Sequence, residues 1–540
     1  MSRTLPNLQG ISNSAVITVA FTPRRSTFYS TTSAKPLKPI DARLDEISLH
    51  TDSTRWSTSY IPHILEASSS SETLRNDSSA TPLPPKLYWR VFRNLRWTLF
   101  TAYQRLFGLV FIMNAIGFAV LLSNPFQLDH LATAASANLL LALIVRQDFF
   151  VKIIFGAAWH VPWSVPLRIR LLITRIYTYG GIHSGAAIAG TLWLLAFTVI
   201  LTIRSAQQGL FVVPVLVLTW VLSVILSLIC ILAFPSIRSA HHNTFERTHR
   251  FLGWSSILVF WAQLILQAHY TKPTYTNLGH TLLHTPSFHL LILITFLIIL
   301  PWLNLRRETF TLHLLSPHAL RLQTKTTTHR FSVLAISTHP LGQYHPFATF
   351  PSNSDPQNDN PETSLVISAA GDWTKTQIAQ AIHRTKFPSI STANSDPEKC
   401  DPATARFWVK GWPKPGVLSL TYIYPRVLIV TTGSGIAPAL SSLLHKPSSQ
   451  FVRLIWSTRA PEKTYGKELC KVVAEVDPQA VVIDTDLMKG RPDLLGISFR
   501  EQRSVGAEAV FVLGNERVTR KVVYGLEARG VRAFGPVWDS

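Results

Sequence analysis

Six long apolar segments in the first 305 residues constrain the fold of this chain more than any other feature of its sequence. Uncharged runs cover residues 106–128, 131–145, 176–203, 205–237 and 251–271, and a last one is centred on 287–305. A helix needs about 20 apolar residues to cross the core of a bilayer. Five runs reach that length, and the second reaches it only if its helix continues through Arg146, Gln147 and Asp148. We therefore expect a bundle of six transmembrane helices.

The basic residues predict how these helices are oriented. They fall before the first run, between the second and third, between the fourth and fifth, and after the sixth, whereas the opposite side has only Arg204 and Lys272. Cytoplasmic loops are enriched in Lys and Arg. We therefore expect an integral, multi-pass membrane protein in contact with lipid, with both termini in the cytosol or its topological equivalent.

Composition excludes several other classes of protein. The formal charge is +21, but no basic stripe with interleaved aromatic residues is present, so a nucleic acid is not expected as a partner. Cys230, Cys400 and Cys470 lie far apart, which excludes a disulfide scaffold and a cysteine zinc site. Residues 1–85 are rich in Ser, Thr and Pro and predict a disordered tail, whose acid-free start fits a cytosolic tail or, as the minority alternative, a mitochondrial address.

The pattern after residue 305 is that of a soluble protein. Strand-like runs at 309–314, 319–323, 331–337 and 365–369 predict a small β-barrel, and those at 427–430, 451–457, 480–484 and 510–513 alternate with helical patterns, which predicts a parallel sheet. The multi-domain chain thus divides into a tail (1–85), a transmembrane domain (86–305), a β-barrel (306–425) and an α/β domain (426–540).

A glycine turn follows the first strand of the α/β domain and is the strongest candidate site. It contains Thr432, Gly433, Ser434 and Gly435, with Pro438 in the first turn of the following helix. Glycines let a backbone approach a pyrophosphate, and a helix N-terminus offers free N–H groups. The alternative is an ordinary glycine-rich turn.

Two further positions follow neighbouring strands of this sheet. Arg459 comes after the hydroxyl pair Ser457 and Thr458, which together can hold a ribose 2′-phosphate, so Arg459 favours NADP over NAD; the alternative is a solvated arginine. Gly514 begins a second turn at the same edge. Near the chain end, Trp538 either stacks over a flavin or packs against the last strand.

Two motifs in the barrel are candidates for binding a flavin. The first is His345, Pro346, Phe347 and Thr349, where the proline and aromatic ring can hold one face of an isoalloxazine and Thr349 can donate a hydrogen bond; the alternative is a proline turn with Phe347 in the core. The second can bind the flavin pyrophosphate or is a simple strand-to-helix turn. It consists of Gly371, Asp372, Trp373 and Thr374.

Two histidines lie at the cytosolic starts of the third and fifth predicted helices. His183 and His249, at one depth, can ligate a haem iron axially, or they pack and hydrogen-bond at the interface. The small residues at 180–190 permit close approach of a neighbouring helix or of a flat cofactor.

The order of these features resembles the ferric reductase and NADPH oxidase superfamily: six helices, a barrel with His-Pro-Phe, Gly-Asp-Trp-Thr, and then the Gly-Ser-Gly-Ile-Ala-Pro turn. The soluble half looks like a ferredoxin–NADP reductase module, and the blocks at 180–187, 241–254 and 534–540 are most similar to the fungal TmpA-like membrane proteins. The resemblance implies electron transfer from NADPH to FAD and then to one haem b or another membrane-associated acceptor.

The chain departs from the superfamily pattern at several positions. The outer-haem histidines are replaced by Phe197 and Gln263, and Ala348 stands where the family has Ser or Thr. Ser368 replaces the usual Arg, and Gly514 follows Leu513 instead of Cys. Two interpretations follow: a membrane-bound, NADPH-dependent flavin oxidoreductase, or a catalytically degenerate TmpA-like protein that binds nucleotide in fungal development or secondary metabolism. A transporter ranks below both, because inverted repeats are lacking.

Overall fold

A computed structural model describes residues 82–123, 128–209, 212–352, 362–386, 403–488 and 491–536. Residues 1–81, most of the predicted tail, and Trp538 lie outside these ranges. The described chain forms a helical part, a sheet of seven antiparallel strands and a sheet of five parallel strands, in that order.

Eleven helices of the described chain precede the first strand. They are α1 (Arg90–Thr98), α2 (Ala102–Leu122), α3 (Leu128–Ile144), α4 (Asp148–Trp159), α5 (Leu167–Thr174), α6 (Gly180–Gln208), α7 (Val213–Leu232), α8 (Pro235–Ala240), α9 (His242–Thr271), α10 (Leu278–Leu283) and α11 (Pro286–Leu303). Among described residues, α2, α6, α7, α9 and α11 are long and apolar enough to cross a membrane. Their outward faces expose large apolar side chains such as Ile112 and Leu258.

The second apolar run forms a helix at the lower limit of the length of a membrane span, which is about 17 residues. Helix α3 has 17 residues and does not continue into α4, because a break at residues 145–147 separates them. Gln147 at the break is buried, and its side-chain amide donates to the Leu297 carbonyl of α11 at 3.0 Å. The continuation through 146–148 that would have lengthened the second span is therefore wrong.

The small residues at the start of α6 serve helix packing. A Cβ atom added at Gly181 would collide with the Tyr103 carbonyl of α2, and one at Gly185 would lie 3.1 Å from the Phe107 carbonyl. Gly190 approaches the Ala135 carbonyl of α3 equally closely. Of the two predicted roles, these three glycines fill the first, the close approach of neighbouring helices.

The antiparallel sheet has the strand order β4-β5-β2-β1-β6-β3-β7 and is closed by pairing of β3 with β4. Its strands are β1 (Arg306–Ser316), β2 (Ala319–Thr324), β3 (Ser332–Ser337), β4 (His345–Ser352), β5 (Glu362–Ser368), β6 (Thr404–Val409) and β7 (Lys414–Pro415). Alternate residues such as Phe310, Leu322 and Ile336 point inward and form the barrel core, against which helix α12 (Asp372–Lys386) packs.

The parallel sheet has the order β10-β9-β8-β11-β12. Its strands are β8 (Arg426–Thr432), β9 (Phe451–Thr458), β10 (Val481–Asp484), β11 (Ala509–Leu513) and β12 (Ala533–Phe534), and its helices are α13 (Ile436–Leu444), α14 (Pro461–Tyr465), α15 (Lys467–Val476), α16 (Leu494–Val505) and α17 (Glu516–Glu527). The chain moves from β8 to one side and later returns to the other, so its switch point lies between β8 and β11. Ligands of open α/β sheets bind at the carboxyl ends of strands at this point.

The segment between α3 and α6 joins the helical part to the soluble half. The Trp163 indole donates to the Tyr422 carbonyl at 3.0 Å, and the Thr174 and Tyr424 hydroxyls lie 2.6 Å apart. Arg170 is buried and pairs with Glu508 at 2.7 Å. We call residues 160–178 the docking segment. The sequence marked it only as a basic loop.

Lys410 forms a second contact between the helical part and the barrel. Its ammonium group lies between the rings of Trp302, in the last turn of α11, and Tyr344, 4.6 Å from each ring centre. Burial, together with the positive charges of Arg250 and Lys414, lowers the Lys410 pKa to about 8.

The lowered pKa of Lys410 should affect how the stability of the protein depends on pH. The Lys410 pKa is lower in the folded protein than its ordinary value of 10.5, so the unfolded chain holds the proton more tightly between pH 8 and 10.5. This contribution to stability therefore rises with pH across that window. We expect Lys410→Met to flatten the rise in melting temperature between pH 7.5 and 9.5. Equal pH profiles for this variant, the wild type and the exposed control Lys325→Met would contradict the assignment.

Candidate functional site

Two glycine turns meet at the switch point of the parallel sheet. Thr431 of β8 is paired in register with Leu513 of β11, so the turn Gly433–Gly435 and the turn that begins at Gly514 lie side by side. Gly433 has φ +55°, a conformation that glycine adopts without strain. The first turn leads directly into α13, whose N-terminal N–H groups point to the same edge.

Close packing requires glycine at two positions of this crevice. A Cβ atom on Gly435 would collide with the Thr431 hydroxyl and lie 3.2 Å from the Leu513 carbonyl. On Gly514 it would lie 2.8 Å from the Thr432 hydroxyl. Thr432, Ser434 and the glycines stay partly accessible. The arrangement is a shallow, backbone-lined cradle for an anionic ligand, and Pro438 lies in the first turn of α13, where a missing N–H breaks no helical bond.

The remaining strand ends surround this cradle. Arg459 follows β9, and its side chain is 84% exposed, with Nε 3.9 Å from the Asp486 carboxylate. Asp484 at the end of β10 accepts hydrogen bonds from the backbone N–H groups of Ala460 and Asp486. The guanidinium is therefore accessible at the carboxyl edge of the sheet, as a 2′-phosphate contact requires.

The two barrel motifs contact each other directly. The rings of His345 and Trp373 stack with centres 4.4 Å apart, and Phe347 lies 6.0 Å from the same indole. Both His345 Nε2 and Trp373 Nε1 are buried without a hydrogen-bond partner among described residues. The indole thus takes the ring face that the sequence assigns to a flavin, while Pro346 beside it is exposed.

Thr349 does not face this site. It is buried, and its hydroxyl donates to the Ser332 carbonyl at 3.0 Å and lies 3.0 Å from the Thr328 hydroxyl. In this arrangement the Thr349 hydroxyl uses its donor within the barrel, and its hydrogen bond to a flavin stays a prediction.

Two backbone N–H groups at the Gly-Asp-Trp-Thr turn donate hydrogen bonds within the turn itself. The backbone N–H groups of Ala370 and Gly371 both donate to the Thr374 hydroxyl, at 3.1 and 3.0 Å. Asp372, in the first turn of α12, places a negative charge where a pyrophosphate would bind. The turn matches the plain strand-to-helix alternative, and the residues present do not fit a flavin without rearrangement.

Tyr465 joins the barrel to the parallel sheet, and no sequence signal marks it. Its ring is buried against Trp456, and its hydroxyl lies 3.4 Å from the Ser368 hydroxyl at the end of β5. The Trp456 indole in turn donates to the Gly433 carbonyl at 3.0 Å. Burial raises the Tyr465 pKa, so the phenol stays protonated at neutral pH. Ser368, which stands where the resembled superfamily usually has an arginine, thus contacts the parallel-sheet domain through Tyr465.

His183 and His249 do face each other. Their ring centres are 6.4 Å apart. Two metal–nitrogen bonds of about 2 Å, with each nitrogen about 1 Å from its ring centre, span about 6 Å. His183 Nδ1 bonds the Ala142 carbonyl at 2.8 Å, which leaves Nε2 available, and His249 Nδ1 is buried without a partner among described residues. The spacing of the two rings matches that of two imidazoles sharing one metal ion, and haem ligation stays a prediction. Within the described residues no cluster of three or more His, Cys, Asp or Glu could hold a metal ion.

The sequence is similar to named fungal reductases. A family model described as adenylate-forming reductase 03009, C-terminal domain, matches residues 417–540. Adenylate-forming reductase 06235 of Coprinopsis cinerea is 36% identical over 461 residues, and adenylate-forming reductase 03009 of the same organism is 36% identical over 459. Each match covers 85% of this chain and 42% of the relative. The chain therefore spans less than half the length of these relatives.

Several solved structures are more distantly similar. Flavohemoglobin from Malassezia yamatoensis has a TM-score of 0.32 at 15% identity, with 75% of this chain and 98% of that chain covered. Ferredoxin reductase in carbazole 1,9a-dioxygenase has a TM-score of 0.30 at 12% identity, with 43% and 68% covered. Ferredoxin-NADP+ reductase from Plasmodium falciparum has a TM-score of 0.27 at 11% identity, with 42% and 95% covered. At such TM-scores the likeness carries no argument about this chain.

Proposed function

We propose that this chain is a membrane-bound, NADPH-dependent oxidoreductase. The observation that carries the proposal is the paired glycine turn at the switch point, where Gly435 and Gly514 leave no room for a side chain. Arg459 at the same edge supports NADPH over NADH. The reductase names of the curated relatives support reduction as the chemistry. The five long apolar helices support insertion in a membrane. The asymmetric basic loops support two cytosolic termini, an orientation that needs the short apolar helix α3 as a sixth crossing.

The electron acceptor is the open part of this proposal. The His183–His249 pair supports one haem b, which would supply one-electron chemistry at the membrane end. A small lipophilic acceptor at the membrane face is the alternative. FAD belongs to the proposal through the sequence resemblance to the ferric reductase superfamily, but its ring would need the place that Trp373 occupies. No hydride path through a flavin follows from this geometry.

A second candidate function is a catalytically degenerate, TmpA-like membrane protein that binds nucleotide. The stacking of Trp373 on His345 favours it, because the indole fills the flavin face and Thr374 uses the backbone donors beside it. In this case the crevice between β8 and β11 would still bind NADPH.

Absorption spectra and nucleotide titration separate the two functions. The full chain would be purified in detergent, and its flavin and Soret absorbance, NADPH affinity and NADPH-dependent reduction of ferricyanide would be measured. Flavin absorbance near-stoichiometric to chain, with NADPH oxidation, supports the oxidoreductase, because a flavin is needed to divide the hydride of NADPH into single electrons. Colourless protein that binds NADPH supports the degenerate alternative. Failure of the folded wild type to bind NADPH would contradict both. Loss of the Soret band in His183→Ala and His249→Ala would assign the haem ligands.

Replacing Arg459 should change nucleotide preference. A hydrogen bond to a charged group contributes about 1.5–3 kcal/mol, and Arg459 is exposed, so we expect the lower end. Arg459→Ala should therefore weaken NADPH binding roughly 10-fold and leave NADH binding nearly unchanged. Calorimetric titration with both nucleotides measures this, with Arg503→Ala as an exposed control. An equal loss of affinity for NADH and NADPH would show that Arg459 does not bind the 2′-phosphate.

A further inference from the structure

A cavity of about 890 Å³ lies where the helical part meets the parallel sheet. We call it the junction cavity. Tyr103 and Leu106 of α2 and Ile182 of α6 line one side of it, each within the first turns of a long apolar helix. The rest is lined by α1 with the chain on either side of it, two residues of α4, the docking segment, α17 and residues 530–536. The cavity therefore opens at the level where the apolar helices begin.

The junction cavity is strongly cationic. Its described lining includes six arginines and one acidic residue, Glu527. The arginines are Arg96, Arg105, Arg168, Arg175, Arg520 and Arg532. Glu527 is already neutralised by Arg175 at 2.5 Å. Arg96, Arg168 and Arg532 are exposed and form no ion pair with a carboxylate in the part of the chain that the structure describes.

The same cavity has an apolar wall. Leu171, Leu172 and Ile176 of the docking segment line it beside Leu106 and Ile182. Leu172 is 73% exposed, so a large apolar side chain stays uncovered at this cavity. An occupant that satisfies both surfaces must carry an anionic group and a hydrocarbon chain in one molecule.

We propose that the junction cavity binds an anionic glycerophospholipid. Arg96, Arg168 and Arg532 contact its phosphate through charge-assisted hydrogen bonds, and the acyl chain follows the apolar wall towards the membrane. The volume is that of a site for a compact ligand, enough for a headgroup and the first part of the chains. The proposal rests on the membrane insertion in the proposed function, but not on NADPH binding or on electron transfer.

Lipid analysis of the purified chain tests the proposal. Phospholipids would be extracted from the full chain in detergent and quantified by mass spectrometry, and we expect roughly one anionic phospholipid per chain. Delipidated protein would then be titrated with phosphatidylserine, phosphatidylcholine or inorganic phosphate while its melting temperature is followed. Only phosphatidylserine should stabilise it. The variant R168Q/R532Q should bind phosphatidylserine roughly 30-fold more weakly.

Matched controls separate this site from general charge effects. R500Q/R503Q removes the same charge from exposed positions of α16 outside the cavity and should bind lipid like the wild type. Equal lipid affinity in R168Q/R532Q, or equal stabilisation by inorganic phosphate, would overturn the proposal. NADPH titration of the same preparations keeps the two proposals apart, since R168Q/R532Q should retain NADPH binding. Lipid binding without NADPH binding would contradict only the proposed nucleotide site and leave the lipid proposal supported.

Discussion

Gly435→Ala should lower the affinity for NADPH by roughly 100-fold or more. The added methyl group collides with the Thr431 hydroxyl and comes within 3.2 Å of the Leu513 carbonyl, so the turn must move away from β11. Backbone N–H groups that point at the pyrophosphate then lose their geometry. Two hydrogen bonds to a charged group at about 1.5 kcal/mol each account for roughly 100-fold. Calorimetric titration with NADPH measures the loss.

Two further variants show whether the loss comes from this collision. Thr431 is buried, and its hydroxyl has no partner among described residues, so T431A costs no hydrogen bond within them. The double variant T431A/G435A should therefore recover part of the affinity. Gly416→Ala, which meets only Val333 at 3.5 Å, is the control and should bind normally. Wild-type affinity in G435A would show that nucleotide does not bind at this turn.

Arg170→Met should lower the melting temperature of the chain more than any other single change at the junction. Arg170 donates to the carbonyls of Val165 and Ile423, pairs with Glu508 at 2.7 Å, and covers the Tyr424 ring at 5.5 Å. Breaking a buried pair costs about 3–5 kcal/mol, with the lower end expected because Glu508 is partly exposed. The melting temperature should fall by roughly 5–10 °C.

The neighbouring Arg175–Glu527 pair is the matched control. The Arg175 side chain is 34% exposed against 6% for Arg170, although Glu527 is only 14% exposed. A pair whose cation is open to solvent contributes about 0–1 kcal/mol. Arg175→Met should therefore lower the melting temperature by at most about 3 °C. A double-mutant cycle of R170M with E508Q isolates the pair itself. Equal effects of R170M and R175M would show that burial of Arg170 does not matter for docking.

The elements that the sequence predicts well are those whose signals are local. The strand at 427–430 and its turn are visible because β-branched residues, glycines and a proline follow one another within twelve positions. The break after α3 was only one of two alternatives, because it depends on whether Gln147 finds a buried partner. That partner is Leu297, 150 residues away.

The features that the sequence missed depend on distant contacts. Thr174 meets Tyr424 and Arg170 meets Glu508 across more than 240 residues, and nothing in either local pattern announces the pairing. Of the two flavin motifs, the one at 371–374 forms the strand-to-helix turn, whereas His345, Pro346 and Phe347 lie within β4 and form no proline turn. The mutual stacking of the two motifs, which uses up the site, follows only from the barrel bringing β4 against α12.

The docking segment also limits how the soluble half can move. Between Thr174, bonded to Tyr424, and Gly180, where α6 begins, the chain runs through the 3₁₀ turn Arg175–Thr178. Such a turn rises about 2 Å per residue, so the bonded residue lies within about 12 Å of the helix start along the chain. No slack remains for a swinging linker. A change in the tilt of α6 would therefore be transmitted to the parallel sheet, and the nucleotide crevice keeps a fixed height above the helix ends.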